Sequence, residues 1–319
     1  MYICWYFFRE MIIKKPNSWI SLLFIWRGSI LRKVWKRLFV ITLFAVIVLY
    51  FRGHIYDYKV HLNPTIFTLI GLALAIFMGF CNSASYDRFW EGRKLWGALL
   101  NDTRSLTRQV LGYIKEENEV DREEKKAFIK MISALCWALN YQLRKKEASH
   151  TQELQRLLSK EVYNEIQEKR FKPIAIMDIM ARWLYKKYEE GRIDSIVLAQ
   201  MDRQMNEFST IIGGCERISN TPLPFPYRLL LHRTVYLYAF WLPFGLVDVV
   251  GLMMPVIVLL ICYTFVSLDA LIQEISEPFG EEENDLALDS ICQTIEFSIN
   301  EQIGIDQTHQ PENNDYFVK

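Results

Sequence analysis

Residues 71–80 read GLALAIFMGF, inside the longer apolar stretch PTIFTLIGLALAIFMGFCNSASYDRFW at 64–90. Gly71, Ala75 and Gly79 recur every fourth residue, and Leu72, Ile76 and Phe80 keep the same interval one position later. On a helix, positions four apart lie along one face. Gly71, Ala75, Gly79 and Ser83 therefore form a smooth strip, and the bulky row stands roughly 100° around from it. Small residues at this spacing let membrane helices approach closely. If copies of the helix meet through the smooth strip in a symmetric ring, the bulky row faces the axis as three stacked apolar girdles. A narrow apolar constriction resists wetting and gates a channel in that way. Below it the helix turns polar at Asn82, Ser83, Ser85 and Asp87, the character of a wet vestibule. Lipid contact and ordinary helix packing are the competing uses of such a row.

Outward from this stretch the chain is built from apolar runs flanking a charged middle. Run one, RLFVITLFAVIVLYF at 37–51, is joined to run two at 64–85 by the short polar link RGHIYDYKVHLN. A hydrocarbon core needs about 20 helical residues, so run two suffices and run one needs its flanks. Run three, TVYLYAFWLPFGLVDVVG at 234–251, and run four, MMPVIVLLICYTFVSLDALI at 253–272, are separated tightly near Gly251 and Pro255. Two helical hairpins result. Lys14, Lys15, Arg27, Arg32, Lys33, Lys36 and Arg37 precede run one, Arg88, Arg93, Lys94, Arg104 and Arg108 follow run two, and Arg228 and Arg233 precede run three. The tips carry only Arg52 and Lys59. The positive-inside rule then puts both tips outside, and both termini and the long middle in the cytoplasm.

The middle, 86–233, reads as helical. Phe128, Ile132, Leu135, Leu139 and Leu143 mark one buried face,. EENEVDREEKK before them suits a solvated helix start, and PIAIMDIMARWLYKKY and GRIDSIVLAQMDRQMNEFSTII repeat the apolar period. SNTPLPFPYR, with three prolines, reads as an extended connector,. The domain reading is an N-terminal cytosolic or interfacial segment at 1–36, a first hairpin with the pore-lining helix at 37–85, a cytosolic helical domain at 86–233, a second hairpin at 234–272, and an acidic segment and tail at 273–319. The first ten residues are too short to span a bilayer and lack a basic start.

Composition excludes several classes. With 37 basic and 37 acidic side chains in 319 residues, the formal charge is zero, which gives no footprint for a nucleic acid. The six cysteines form no C-x-x-C pair and no zinc spacing, so they read as reduced, buried thiols,. No phosphate loop, G-x-S-x-G or H-E-x-x-H is present,. The five histidines, His54, His61 and His309 among them, are scattered. The expectation is a protein that is not an enzyme and holds no cofactor. Asp248 and Asp269 are the ionisable groups nearest the apolar runs, and both are expected at run ends, exposed or snorkelling.

Three phrases add a resemblance. SYDRFWEGRKLWG follows run two, GCERISNTPLPFPYRLLLHRTVYLY leads into run three, and SLDALIQEISEPFGEEENDLALD follows run four. Together, and in that order, they resemble the bestrophin family, in particular its bacterial members, over most of the chain from Trp19 to about Cys292. The resemblance implies an all-α membrane protein with four transmembrane helices in two hairpins and a helical cytosolic domain, assembled as a homopentamer around one axial pore in the bacterial inner membrane. The family's neck positions fall on Leu72, Ile76 and Phe80. Its cytosolic aperture falls after Gly191, Arg192 and Ile193, with Val197 as the aperture side chain and Ile196 next. The run Glu281 to Asp285 matches the calcium clasp of animal members in place, with Glu282 and Asp285 as the weak metal candidates. Animal clasps use aspartates, whereas this run is mostly glutamate, so a solvated acidic helix start is favoured over calcium.

For ion sign, animal bestrophins pass chloride and bacterial relatives are associated with cations. Asp194 and Asp202 would become carboxylate rings in a pentamer, which favours cations, with Arg192 and Arg203 adjacent to neutralise them. The expectation is a pentameric channel for monovalent cations such as sodium or potassium. The alternatives are an anion channel and a membrane-anchored interaction or signalling scaffold.

Overall fold

The structure, a computed structural model, describes residues 11–12, 20, 25–26, 28–55, 58–59, 62–146, 152–305 and 317–318. The first ten residues, Lys14, Lys15, Arg27, His61 and His309 lie outside them. Among the described residues the chain is all-helical apart from two antiparallel pairs of two-residue strands, β1 (Met11–Ile12) with β4 (Phe317–Val318) and β2 (His54–Ile55) with β3 (Tyr58–Lys59). It divides into two units: Lys15–Phe89 with Pro222–Pro278, and Trp90–Thr221 with the segments at the two chain ends.

The first unit holds α1 (Leu31–Tyr50), the N-terminal half of α2 (Pro64–Tyr113), α8 (Phe225–Val250) and α9 (Met254–Ile275). The stretches Pro64–Tyr113 and Phe225–Ile275 are long and apolar enough to cross a membrane by length and composition. The second is broken at Gly251, whose φ of 60° only glycine adopts freely, before a 3₁₀ turn at Gly251–Met253 restarts the chain as α9,. In α1 the charges of Arg32, Lys33, Lys36 and Arg37 fill the first turns, so it is apolar only from Leu38 onward.

These helices share one core, with Val34, Leu38 and Ala45 from α1, Phe67, Leu74 and Met78 from α2, Val235 and Leu242 from α8, and Val258 and Val266 from α9. Gly245 on α8 makes room for the Phe67 ring, where any Cβ would collide with it. Polar ties join the same helices: Lys33 to Glu274 at 3.3 Å, Arg37 donating to the Tyr236 hydroxyl at 3.0 Å, and Lys59 to Asp248 at 2.6 Å.

Two expectations are corrected in this unit. The prolines of SNTPLPFPYR do not hold the chain extended as far as Arg228, because α8 begins at Phe225 with Pro226 in its first turn. Proline is tolerated there, where its missing N–H would be unsatisfied in any case. Asp269 is neither exposed nor snorkelling. It is fully buried, and His232 Nδ1 lies 2.8 Å from its carboxylate. A buried carboxylate needs a partner of that kind, and two residues 37 positions apart give no local sign of it. Asp248 is about half exposed, as expected.

The second unit holds residues 90–113 of α2, then α3 (Glu119–Leu143), α4 (Gln152–Leu157), α5 (Lys160–Gln167), α6 (Lys172–Glu189), α7 (Ser195–Asn220) and α10 (Leu288–Gln302). Its centre is α3, capped by Asn118, whose side chain accepts from the Asp121 N–H. Phe128, Ile132, Leu135 and Leu139 are fully buried, and Leu143 nearly so. The solvated helix start expected ahead of them is only partly so, because Asp121 and Lys125 are buried. α10 is tied to α4 by Arg156, which makes two bonds to Glu296 at 2.6 and 2.8 Å, and to the end of α3 by Arg144, which pairs with Asp289 at 2.7 Å. Cys136 and Cys292 are buried in this packing, Cys215 is buried in α7, and all three are free thiols. Desolvation pushes the Cys215 thiol up to about 12, so it is inert at neutral pH.

Candidate ion pathway

Within one chain, α2 turns Phe67, Leu74 and Met78 into the core and leaves its other faces open. Leu72, Ile76 and Phe80 are 60%, 55% and 72% exposed. Exposure alone does not single them out, since Ile66, Leu69 and Ile70 are open as well. Their distinction is the strip beside them. Ala75, Gly79 and Ser83 are also exposed, and a Cβ at Gly79 would meet nothing. Gly71 departs from the strip: it packs within the chain, where a Cβ would stand 3.1 Å from the Tyr238 hydroxyl. Each bulky side chain left in bulk water forfeits about 1.5–3 kcal/mol. The row therefore belongs against lipid, protein or a bore too narrow to wet.

The segment expected to form the aperture lies in the second unit and is built as a held loop. Gly191, at φ 72°, turns the chain after α6. Arg192 pairs with Glu117 at 2.6 Å and Asp121 at 3.2 Å, and its carbonyl accepts from the Lys115 N–H at 3.2 Å. Ile193 is buried as the anchor. Lys187, itself buried, reaches Glu124 at 2.6 Å, Glu190 at 2.7 Å and Asp121 at 3.8 Å. Burial opposes its charge, but the hydrogen bonds to Glu124 and Glu190 outweigh that, and its pKa is raised. The Glu117 N–H, with the Arg192 and Lys187 cations beyond it, holds the Asp121 carboxyl below the usual carboxylate range against the opposing effect of burial.

A depressed folded value contributes stability that is complete above the unfolded pKa of about 3.9 and disappears as pH falls through the folded value. The loop should therefore stay held at neutral pH and loosen only in acid below about pH 4. Asp121→Asn should release it at pH 7, read as faster amide exchange over 190–196 than in the wild type. Equal exchange would show that Asp121 does not hold the loop.

Asp194 has a structural use. It is the N-cap of α7, accepting from the Ile196 and Val197 N–H groups at 2.8 and 2.9 Å. Its charge thus sits against the positive end of that helix and is partly offset by it. Asp202 accepts from Asn206 Nδ2 at 3.3 Å on the exposed face. Arg192 is engaged by Glu117 and Asp121, and no bond to Asp194 is needed to account for it. Ile196 is 73% exposed, whereas Val197 is half-buried.

The acidic run folds as a closed turn. Asp285 is buried, and its carboxylate accepts from the Glu282 N–H at 2.7 Å, while Glu281 pairs with Lys146. Among the described residues no group of three or more His, Cys, Asp or Glu side chains is placed to hold a metal.

Residues 11–301 match the family described as Bacterial/Fungal Bestrophin protein. The chain is a bestrophin. Among its relatives, a voltage-dependent anion channel-forming protein of Ralstonia nicotianae is 40% identical over 294 residues, 92% of this chain and 95% of that one. A protein of the same description from Escherichia coli is 38% identical over 293 residues, 91% of this chain and 93% of that one. The crystal structure of a bacterial bestrophin homolog from Klebsiella pneumoniae superposes with a TM-score of 0.81 at 36% identity, covering 86% of this bestrophin and all of that chain. Channel names and the bestrophin family agree with the expectation that this is no enzyme. The names of the two relatives carry an anion and so run against the monovalent-cation expectation.

Proposed function

We propose that this bestrophin is an ion channel of the bacterial inner membrane, working as a homopentamer around one axial pore. The observation that carries the reading is the pairing on α2 of an open bulky row, Leu72, Ile76 and Phe80, with the open small strip Ala75, Gly79 and Ser83. A ring closed through the small strip turns the bulky row to its axis, where it forms the neck. Four spans per subunit, α1, the N-terminal half of α2, α8 and α9, carry the ring, with both termini and the insert on the cytoplasmic side. Permeation needs no chemistry: the neck sets a wetting barrier, and ions cross when it hydrates.

For the cytosolic aperture the order of candidates is reversed from the sequence expectation. Ile196 is the better one, because its side chain is open while Val197 is half-buried. The channel reading calls on no calcium at Glu282 and Asp285, which belong to a turn closed by the Glu282 N–H on the Asp285 carboxylate.

For ion sign we take the anion reading, in line with the relatives' names and in place of the cation expectation. Asp194 is spent on the α7 cap and Asp202 on Asn206. The cation reading keeps one specific support, the exposure of both carboxylates, which would form acidic rings. A reversal potential on purified protein in planar bilayers, under a tenfold salt gradient, separates the two by sign alone. A shift toward the chloride equilibrium potential is expected, and a shift toward the cation's would reinstate the carboxylate rings. No current from any preparation would favour a membrane-anchored scaffold.

A further inference from the structure

The first unit contains a cavity of about 260 Å³ that the channel reading uses only at Phe80. Phe77, Phe80 and Ala84 of α2, Tyr227 and Arg228 of α8 and Ile272 of α9 line it. Its wall is mostly apolar, and Arg228, Gln273 and Ser276 are the polar residues that line it. Tyr227 is 56% exposed at its rim, so aromatic surface is left for an occupant to cover. The volume takes about nine methylene-sized atoms at ~30 Å³ each,, so the far end of a longer chain stays outside in the bilayer. Arg228 has a weak competitor: Glu277 approaches to 3.9 Å, beyond hydrogen-bond length, and its own side chain is 68% exposed. A guanidinium prefers a carboxylate at bidentate range. The arginines and lysines around these helix ends mark them as the cytoplasmic side, where single-chain amphiphiles of the inner leaflet are at hand.

We propose that this cavity binds a single-chain anionic amphiphile of the fatty-acid kind, its alkyl chain against Ala84, Tyr227 and Ile272 and its carboxylate on Arg228. The binding stands on the cavity alone. Its consequence rests on the channel reading: an occupant packed against Phe80 touches one of the three neck side chains and so shifts the current.

The test uses the full-length protein in neutral phosphatidylcholine nanodiscs and two photoactivatable twelve-carbon probes, one ending in a carboxylate and one in an alcohol. The carboxylate probe is expected to label peptides containing Phe77–Ala84 and Tyr227 saturably, with laurate competing. Arg228→Gln, at a half-exposed position that leaves folding intact, should weaken carboxylate labelling at least tenfold and leave alcohol labelling unchanged. Ala84→Phe, which fills the cavity, should abolish both. Labelling spread over the whole lipid-facing surface without saturation would overturn the proposal. So would equal labelling of Arg228→Gln and the wild type, or no labelling at these peptides, as when a second copy covers the cavity. Laurate should then alter the wild-type current and not that of Arg228→Gln. Specific labelling without that change would remove the coupling to the neck and leave the binding site standing.

Discussion

Replacing Leu72, Ile76 and Phe80 together by alanine raises the conductance in planar bilayers about tenfold. Three truncations at one helix face take away the bulk that narrows the proposed neck, and a wider apolar bore wets more readily. A tenfold rise corresponds to a barrier lowered by about 1.4 kcal/mol, a modest share of what three large apolar side chains control. Val249→Ala is the control, because Val249 is 66% exposed on α8 and belongs to neither row. Its conductance should equal that of the wild type. Unchanged current through the triple variant would remove the neck assignment, and an equal rise in both variants would point to general loosening of the membrane helices.

The second large effect is on stability. Phe128 is fully buried on α3, and its ring lies 4.5 Å from that of Trp183 on α6. Phe128→Ala removes that contact and leaves a cavity at the centre of the second unit, which costs about 3–5 kcal/mol. For a unit of this size that loss lowers the melting temperature by about 10 °C, measurable by circular dichroism of the detergent-solubilised protein. A shift within 1 °C of the wild type would mean that the α3–α6 contact carries no weight in the cooperative unit.

Phe128 also shows what was legible in the sequence. The spacing of Phe128, Ile132, Leu135, Leu139 and Leu143 marks the buried face of α3 correctly. It does not reveal that Ser133 and Asn140 are buried on the other sides. Periodicity reports a helix with one wet face, whereas α3 packs against α4, α6, α7 and α10 at once. The apolar runs were legible because a bilayer demands about 20 residues whatever the tertiary context. Their ends were not. α2 runs without interruption from Pro64 to Tyr113, through the residue at 85 where its apolar character stops, because a change of polarity breaks no backbone hydrogen bond. The start of α8 at Phe225 was hidden by prolines that the first turn accepts.

The candidate site divides the same way. The two rows of α2 are a local pattern, and their openness in the single chain follows from the packing of Leu74 and Met78 on the other side. The order of the two proposed aperture candidates depends on long-range ties. Arg192 reaches Glu117 and Asp121, and Lys187 reaches Glu124, across different helices. Those ties and the Asp194 cap set which of Ile196 and Val197 is left open. The pair formed by His232 and Asp269 belongs to the same class, since a carboxylate on α9 and an imidazole on α8 meet only once the helices are packed.

The central claim is that a ring of α2 helices encloses an ion path with the bulky row turned inward. Electron cryomicroscopy of the full-length protein in lipid nanodiscs tests it most directly. The account predicts five copies around one axis, with Leu72, Ile76 and Phe80 facing a continuous bore. A structure in which those three side chains are buried between subunits or face acyl chains, with no passage along the axis, would contradict it.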